Sequence, residues 1–355
     1  MLKNTIKKIN QKVRAFFAIV RRKKRWTRTV RDNKSFLVEG KYKSNHTHNA
    51  WYLVGDDSYG KEDDYLLLEQ IYISSQQNLD GGLFRRIINK VLHFLLFRES
   101  KIYIKSDTKE FSGTMIILSR RTGTGKVISL KNKEIVSFYD STYEMEVEIS
   151  NRKKFEQYGF NTIPILVISK EKKYFIEKYI EKCSLSLENA FNYICKETLR
   201  FQQSTWCKKS FFKETNSILR SFDETTNDVE LHSKLLTFLK PENYIRCLCH
   251  SDLYRNNILY DGENYYYIDF ELAEEHIFFF DIFYFMWFEY YRFNNKSFLQ
   301  SYFKGDYDDY FTELFMCNNV KYDSMCREVY YFISLYEYFC TANNLMIPSK
   351  LLDFI

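Results

Sequence analysis

The stretch His250-Ser251-Asp252-Leu253-Tyr254-Arg255-Asn256-Asn257 sets a carboxylate and, five residues on, an amide in one short polar segment. It runs into Ile258-Leu259-Tyr260, and a second apolar run closes on Ile268-Asp269-Phe270-Glu271. Kinase-type phosphoryl transfer needs an acid, an amide and a second acid in that order. One Asp accepts the proton of the attacking hydroxyl, the Asn binds one magnesium ion, and the second Asp holds magnesium against the nucleotide phosphates. Asp252, Asn257 and Asp269 are therefore the candidate catalytic residues, with Asn257 and Asp269 as candidate metal ligands. Asp261-Gly262 is a hairpin-turn signal between β-rich runs over 257–260 and 265–270. Such a hairpin carries Asn257 and Asp269 side by side at its open end.

His-Ser-Asp-Leu-Tyr-Arg-Asn-Asn-Ile-Leu with a downstream Ile-Asp-Phe-Glu resembles the catalytic block of the aminoglycoside phosphotransferase and choline kinase superfamily, a branch of the protein-kinase-like fold. Ser251 stands where the block usually has Gly, and Tyr254-Arg255 where it often has His-Pro. Glu271, where protein kinases usually have Gly, points by resemblance to a small-molecule or glycan acceptor. The match spans about twenty residues; elsewhere the resemblance is one of order and spacing. It implies that His250 packs behind the loop as a scaffold. It also implies that Asp281, near the start of an apolar helix, bonds the catalytic-loop backbone; an ordinary N-cap Asp is the alternative. Arg255 could face the phosphates, the acceptor or solvent.

Upstream, the order resembles a kinase small lobe. Met115–Leu118, Lys126–Leu130 and Glu134–Tyr139 read as three strands, followed by a helix over Ser141–Tyr158. Arg121-Thr122-Gly123-Thr124-Gly125 would be the phosphate-covering loop, with Gly123 and Gly125 letting backbone amides approach the phosphates. The resemblance calls for a Glu on the helix, taken as Glu148, paired with a Lys on the third strand. In this register that strand has Ser137 at the expected position; Lys126, Lys131 or Lys133 could reach the phosphates instead, and a shifted register or a pseudokinase that binds nucleotide poorly are the alternatives. Ile163–Ser169 and Tyr174–Ile180 read as a hairpin leading to the hinge.

Composition sets the outer limits. The chain has 355 residues and few Gly or Pro, so it is globular and long enough for two lobes. Eight Cys are scattered without metal-site spacing, which predicts free thiols in a reducing compartment. No cleavable signal peptide is legible, and the apolar stretch Ile277–Phe288 is short and interrupted by Asp281. Residues 1–34 hold thirteen Lys or Arg and one acid, a net +12 in a chain of +6, so the remainder is −6. Leu2, Ile6, Ile9, Val13, Phe16, Phe17 and Val20 form an apolar stripe at helical spacing, followed by Arg21–Arg25 and Trp26. Such a helix fits an anionic membrane surface; a helix packed on the body and a nucleic-acid arm are the alternatives.

Between these regions, Trp51–Val54 and Asp64–Tyr72 read as strands and Gly82–Phe97 as an amphipathic helix. His46 and His48 read as part of a solvated polar loop. Leu185–Lys196 and Leu231–Leu239 are helical, with Pro241 as a stop signal. The expected fold is α+β and two-lobed, protein-kinase-like, with a small antiparallel-sheet N-lobe and a larger helical C-lobe. The expected divisions are a basic segment 1–34, an elaboration 35–112, an N-lobe 113–182 and a C-lobe 183–355. The expected activity is transfer of the γ-phosphate of ATP, with Mg2+, to a hydroxyl of a small molecule or sugar, foremost of a surface glycan or glycolipid. A soluble aminoglycoside- or choline-type kinase and a non-catalytic membrane-recruited scaffold are the competing readings. The expected location is the cytoplasm, peripheral on the inner face of the membrane, with nucleic acid not among the expected partners.

Overall fold

The structure is a computed structural model that describes residue 21 and residues 24–45, 50–54, 101–105, 111–119, 123–204, 207, 209–211, 218–219, 221–222, 229–240, 243–342 and 347–354. The strand over Asp64–Tyr72, the helix over Gly82–Phe97, His46, His48, the stripe from Leu2 to Val20, Arg121, Thr122 and Pro241 lie outside these residues. The chain divides into two compact units. One comprises Met1–Glu146 and Ile163–Glu181, the other Val147–Thr162 and Lys182–Ile355.

The first unit is built on an eight-stranded antiparallel sheet. Its strands are β1 (Gly40–Asn45), β2 (Ala50–Leu53), β3 (Lys101–Ile104), β4 (Met115–Leu118), β5 (Gly125–Ser129), β6 (Glu134–Phe138), β7 (Ile165–Ser169) and β8 (Tyr174–Lys178), in the order β3-β1-β2-β4-β5-β6-β8-β7. Successive side chains on a strand point to opposite faces, and both faces here are apolar. Trp51, Ile116, Val127 and Val136 share one core cluster, whereas Tyr52, Met115 and Ile128 belong to another. A helical stretch over residues 24–32 closes the first cluster, burying Trp26 and Val30. Trp26, expected at a membrane boundary, is instead a core residue, so this end of the basic segment follows the packed-helix alternative. Strand β7 forms one edge of the sheet and leaves Leu166, Val167 and Ile168 exposed.

Helix α1 (Thr142–Gln157) begins in the first unit and ends in the second. The second unit continues with α2 (Leu187–Gln203), strand β9 (Ser210–Phe211), α3 (Val229–Phe238) and β10 (Ile245–Cys249). The hairpin β11 (Ile258–Tyr260) and β12 (Tyr265–Tyr267) follows, then β13 (Glu274–Ile277), which pairs with β10. Helices α4 (Phe280–Phe293), α5 (Ser297–Lys304), α6 (Asp308–Met316) and α7 (Arg327–Tyr336) complete it. From Phe280 to Trp287 every residue of α4 is buried, the pattern of a helix packed on all sides. The aromatic excess of this half of the chain is largely core: Phe279, Phe283, Phe311, Phe315 and Tyr330 pack in one cluster. Among the described residues no helix is long and apolar enough to cross a membrane, and the described cysteines are free.

Candidate active site

Strand β10 delivers the chain to His250, and at Ser251 the backbone enters the left-handed region (φ 66). Asp281 explains how that turn is held. Its two carboxylate oxygens accept the backbone N–H groups of His250 (2.7 Å) and Ser251 (3.0 Å). It therefore ties the loop, as the resemblance implied, and does not cap its own helix. The Ser251 hydroxyl donates to the Cys249 carbonyl and accepts the Glu274 N–H, both at 3.3 Å. A buried His250 ring places Nε2 2.9 Å from the Ile268 carbonyl, so that nitrogen carries the proton. Burial holds the imidazole pKa below its ordinary value. His250 is a neutral brace, not a base.

Beyond this brace lie the three candidate residues. The Asn257 side-chain N–H group donates to the Asp252 carbonyl (2.8 Å) and to its carboxylate Oδ2 (3.0 Å). This orientation leaves the Asn257 Oδ1 as the atom that can meet a cation. The Ile268 N–H donates to the Asn257 carbonyl at 3.1 Å, which fastens the residue before Asp269 to the amide-bearing turn. Asp269 itself is left-handed (φ 70, ψ 62), a costly geometry for a residue other than glycine. Burial raises the Asp252 pKa to about 7; repulsion from Asp269 and Glu271 adds to this, while hydrogen bonds from Tyr284 and Asn257 oppose it. The half-buried carboxylates of Asp252, Asp269 and Glu271 thus lie near one another, which favours a bound cation.

Tyr284 was not legible as a site residue. Its hydroxyl donates to Asp252 Oδ1 at 2.5 Å, so both carboxylate oxygens have a donor. Its ring stacks on Phe288 (5.3 Å) and meets Tyr338 edge-on (5.3 Å), while Tyr254 packs on Phe288 (4.8 Å). Aromatic rings therefore wall the approach to Asp252. Only the one-turn spacing from Asp281, which puts Tyr284 beside it on α4, could have suggested its role.

Arg255 is half-buried and engages helix α4. Its Nε donates to Glu289 Oε1 at 2.8 Å, its second guanidinium bond reaches Oε2, and its plane lies 4.3 Å over the Phe293 ring. Glu289 is fully buried, so the pair clamps the catalytic loop to α4. The second half of α1 holds the metal loop from another side. Asn151 donates to the carbonyls of Phe270 (3.0 Å) and Ala273 (3.1 Å), and Phe155 packs on Phe270 and His250. Glu148 accepts from Arg152 of its own helix at 3.3 Å, with both side chains buried.

In the first unit, Gly123 is left-handed (φ 72), and a Cβ at Gly125 would lie 2.5 Å from the Ile117 carbonyl. Both positions thus need glycine for the backbone alone. Lys126 is half-buried on β5 and pairs across the ladder with Ser137, which is buried on β6.

The donor set suits magnesium: an amide oxygen and a carboxylate are hard ligands, and Mg2+ takes few of them, filling its shell with phosphate and water. Among the described residues no three His, Cys, Asp or Glu side chains converge as a metal site.

No protein-family model and no curated protein matches the chain. Similar solved structures include an aminoglycoside phosphotransferase of Streptomyces rimosus, at 14% identity over 61% of this chain and 91% of that one, with a TM-score of 0.39. A choline kinase of Streptococcus pneumoniae is 16% identical over 70% of this chain and 85% of its own, with a TM-score of 0.37. An ethanolamine kinase of Plasmodium vivax is 15% identical over 85% and 93%, with a TM-score of 0.35. At these identities and scores the likeness carries no weight of its own, and the function must be read from the loop that holds Asp252, Asn257 and Asp269.

Proposed function

We propose that the protein is an ATP-dependent phosphotransferase acting on an alcohol. The observation that carries this reading is the Asp252 carboxylate, fixed by Tyr284 on one oxygen and Asn257 on the other, with Asp269 adjoining. A carboxylate so fixed accepts the proton of an acceptor hydroxyl as its oxygen bonds to the γ-phosphorus and the bond to the bridging oxygen breaks, releasing ADP. A pKa of about 7 suits that exchange near neutrality. Asn257 and Asp269 would hold magnesium, which when bound offsets charge on the phosphates. Gly123 and Gly125 would bring backbone amides to the nucleotide phosphates.

The finer reading is a sugar hydroxyl on a surface glycan or glycolipid. Support comes from the aromatic wall of Tyr254, Tyr284 and Phe288, whose faces suit sugar rings, and from the +12 of residues 1–34, which suits an anionic surface. A thermal-shift series with Mg-ATP, followed by ADP release with choline, ethanolamine, streptomycin and lipopolysaccharide core as acceptors, tests both levels. Absence of a shift with Mg-ATP would sink the kinase reading; release only with the soluble amines would sink the glycan one. Deletion of residues 1–20, which leaves Trp26 and Val30 in the core, should reduce co-sedimentation with anionic vesicles. Unchanged sedimentation would remove the membrane from the account.

A further inference from the structure

We infer that Glu337 is a positioning residue, a buried latch that sets Tyr338 against Tyr284 and holds it most firmly while His276 is protonated. The inference rests on the phosphotransfer reading for the role of Asp252. It goes beyond that reading by tying the base to a titratable cluster remote from it in sequence.

Helix α7 gives way at Glu337 to a π-helical turn, Glu337–Ala342. Such turns are rare and recur at functional sites. Glu337 is fully buried, and its carboxylate accepts from three side chains. Tyr244 donates its hydroxyl to Oε1 at 2.6 Å, while Arg246 (3.3 Å) and His276 Nδ1 (2.8 Å) donate to Oε2. An acid is buried so deeply only where partners answer its charge. These bonds therefore fix the start of the turn against β10 and β13. The next residue, Tyr338, meets the Tyr284 ring edge-on (5.3 Å) and packs on Trp287 (4.9 Å). It also shares a hydrogen bond with Tyr284. The Tyr284 hydroxyl gives its single hydrogen to Asp252 Oδ1, so Tyr338 is the donor in that bond. A hydroxyl that accepts a hydrogen bond becomes a stronger donor. The placement of Tyr338 thus bears on how firmly Tyr284 holds the base.

The proton enters through the geometry of His276. Its buried ring lies between two carboxylates, Glu337 at Nδ1 (2.8 Å) and Glu274 at Nε2 (3.2 Å), and stacks on Phe280 (3.9 Å). A neutral imidazole has one N–H and serves one of them; the protonated ring serves both. Around His276 stand Glu274 of its own strand, Glu337 of the π turn and Asp281 of α4. Arg246, Cys247 and Cys249 of β10 and the adjoining Tyr244 complete the surroundings. Asp281 is held by two loop amides, which leaves His276 and Arg246 to offset Glu274 and Glu337. Loss of the His276 proton leaves Arg246 alone against both acids. Half-exposed Glu274 can turn to solvent and buried Glu337 cannot, so the latch is what weakens.

The test follows Trp287 emission in the ligand-free full-length chain from about pH 5.5 to about pH 9, with Trp287→Phe to assign the signal. Wild type should show a transition with its midpoint above 6.5, and His276→Gln and Glu337→Gln should each remove it. Turnover is measured as hydrolysis of Mg-ATP by water, which needs no identified acceptor. Tyr338→Phe and Glu337→Gln should each lower it about 5-fold while Mg-ATP affinity stays within about 2-fold of wild type. The ratio of wild-type to His276→Gln rates should be larger at acid pH than at alkaline pH, a trend that packing alone would not give. Absence of a wild-type transition, or one that survives Trp287→Phe or His276→Gln, would overturn the inference. Rates of Tyr338→Phe and Glu337→Gln equal to wild type would do the same. If wild type hydrolyses no ATP, the emission arm judges the latch alone; absence of Mg-ATP binding as well would bring down the kinase reading instead. Should Glu337→Gln not fold, His276→Gln decides the emission arm and Tyr338→Phe the kinetic one.

Discussion

The catalytic loop and the β5–β6 row solve the problem of a buried polar group in opposite ways. Around Asp252 nearly every polar atom has a partner supplied by the chain itself: Asp281 for two amides, Tyr284 and Asn257 for the base, Glu289 for Arg255. On β6, by contrast, Ser137 Oγ is buried and has no hydrogen-bond partner among the described residues. Where the molecule completes its own bonds, substitution should damage folding or positioning. Where a donor is missing, it should leave folding intact or improved.

The largest expected effect is kinetic. Asp252→Asn should lower acceptor-dependent ADP release about 1,000-fold while the shift in melting temperature with Mg-ATP persists. Full turnover by that variant would break the assignment of the base. Next comes the clamp: Arg255→Met strands the buried Glu289 carboxylate and should cost about 3 kcal/mol in urea unfolding. A loss no larger than that of an exposed ion pair would show that the loop is not fastened there.

Tyr284→Phe should reduce turnover about 10-fold, in the range of one lost hydrogen bond to a charged group. Because the Tyr284 bond lowers the Asp252 pKa, its loss raises that pKa. The acid limb of the rate profile should move to higher pH; a limb that stays in place would separate Tyr284 from the base. Ser137→Ala should stabilise the protein by about 1 kcal/mol, since it removes a hydroxyl that is buried without a partner. Destabilisation of that size would reverse the comparison.

The smallest effect concerns His276. Burial pulls its pKa down, but the bonds to Glu274 and Glu337 outweigh this and raise it above 6.5. The folded state therefore favours the protonated ring. That stability is fully present below 6.5 and is lost as pH rises through the raised folded value. The urea midpoint of wild type should exceed that of His276→Gln by more at acid pH than at alkaline pH; the opposite trend would contradict the sign.

What the sequence showed depended on how far apart the cooperating residues lie. Asp252, Asn257 and Asp269 were legible because one hairpin and its turn set their spacing. Tyr284 and Glu289 act on that loop from 32 and 34 residues away, through a helix whose stretch from Phe280 to Trp287 is buried throughout and offers no amphipathic phase to read. Strand β1 was missed for a related reason: between Gly40 and Asn45 only Tyr42 is a large apolar residue, so there is hardly any alternation to detect. Trp26 misled in the other direction, since an aromatic beside a basic run suits a membrane interface as well as a core. Ser137 was visible as a departure, but only the register showed that Lys126 stands opposite it.

The two left-handed residues, Ser251 and Asp269, bear on when the loop becomes ordered. Each adopts a backbone conformation that costs about 1–3 kcal/mol outside glycine and persists only where the surroundings over-determine it. Here the surroundings are Asp281, the Ser251 hydroxyl, and the bond from Ile268 to Asn257. That cost is met once, when the chain folds, and is not repeated at each encounter with a substrate. The loop should thus behave as a preset template, whose hydrogen-exchange protection is already high in the ligand-free protein and rises little on nucleotide binding.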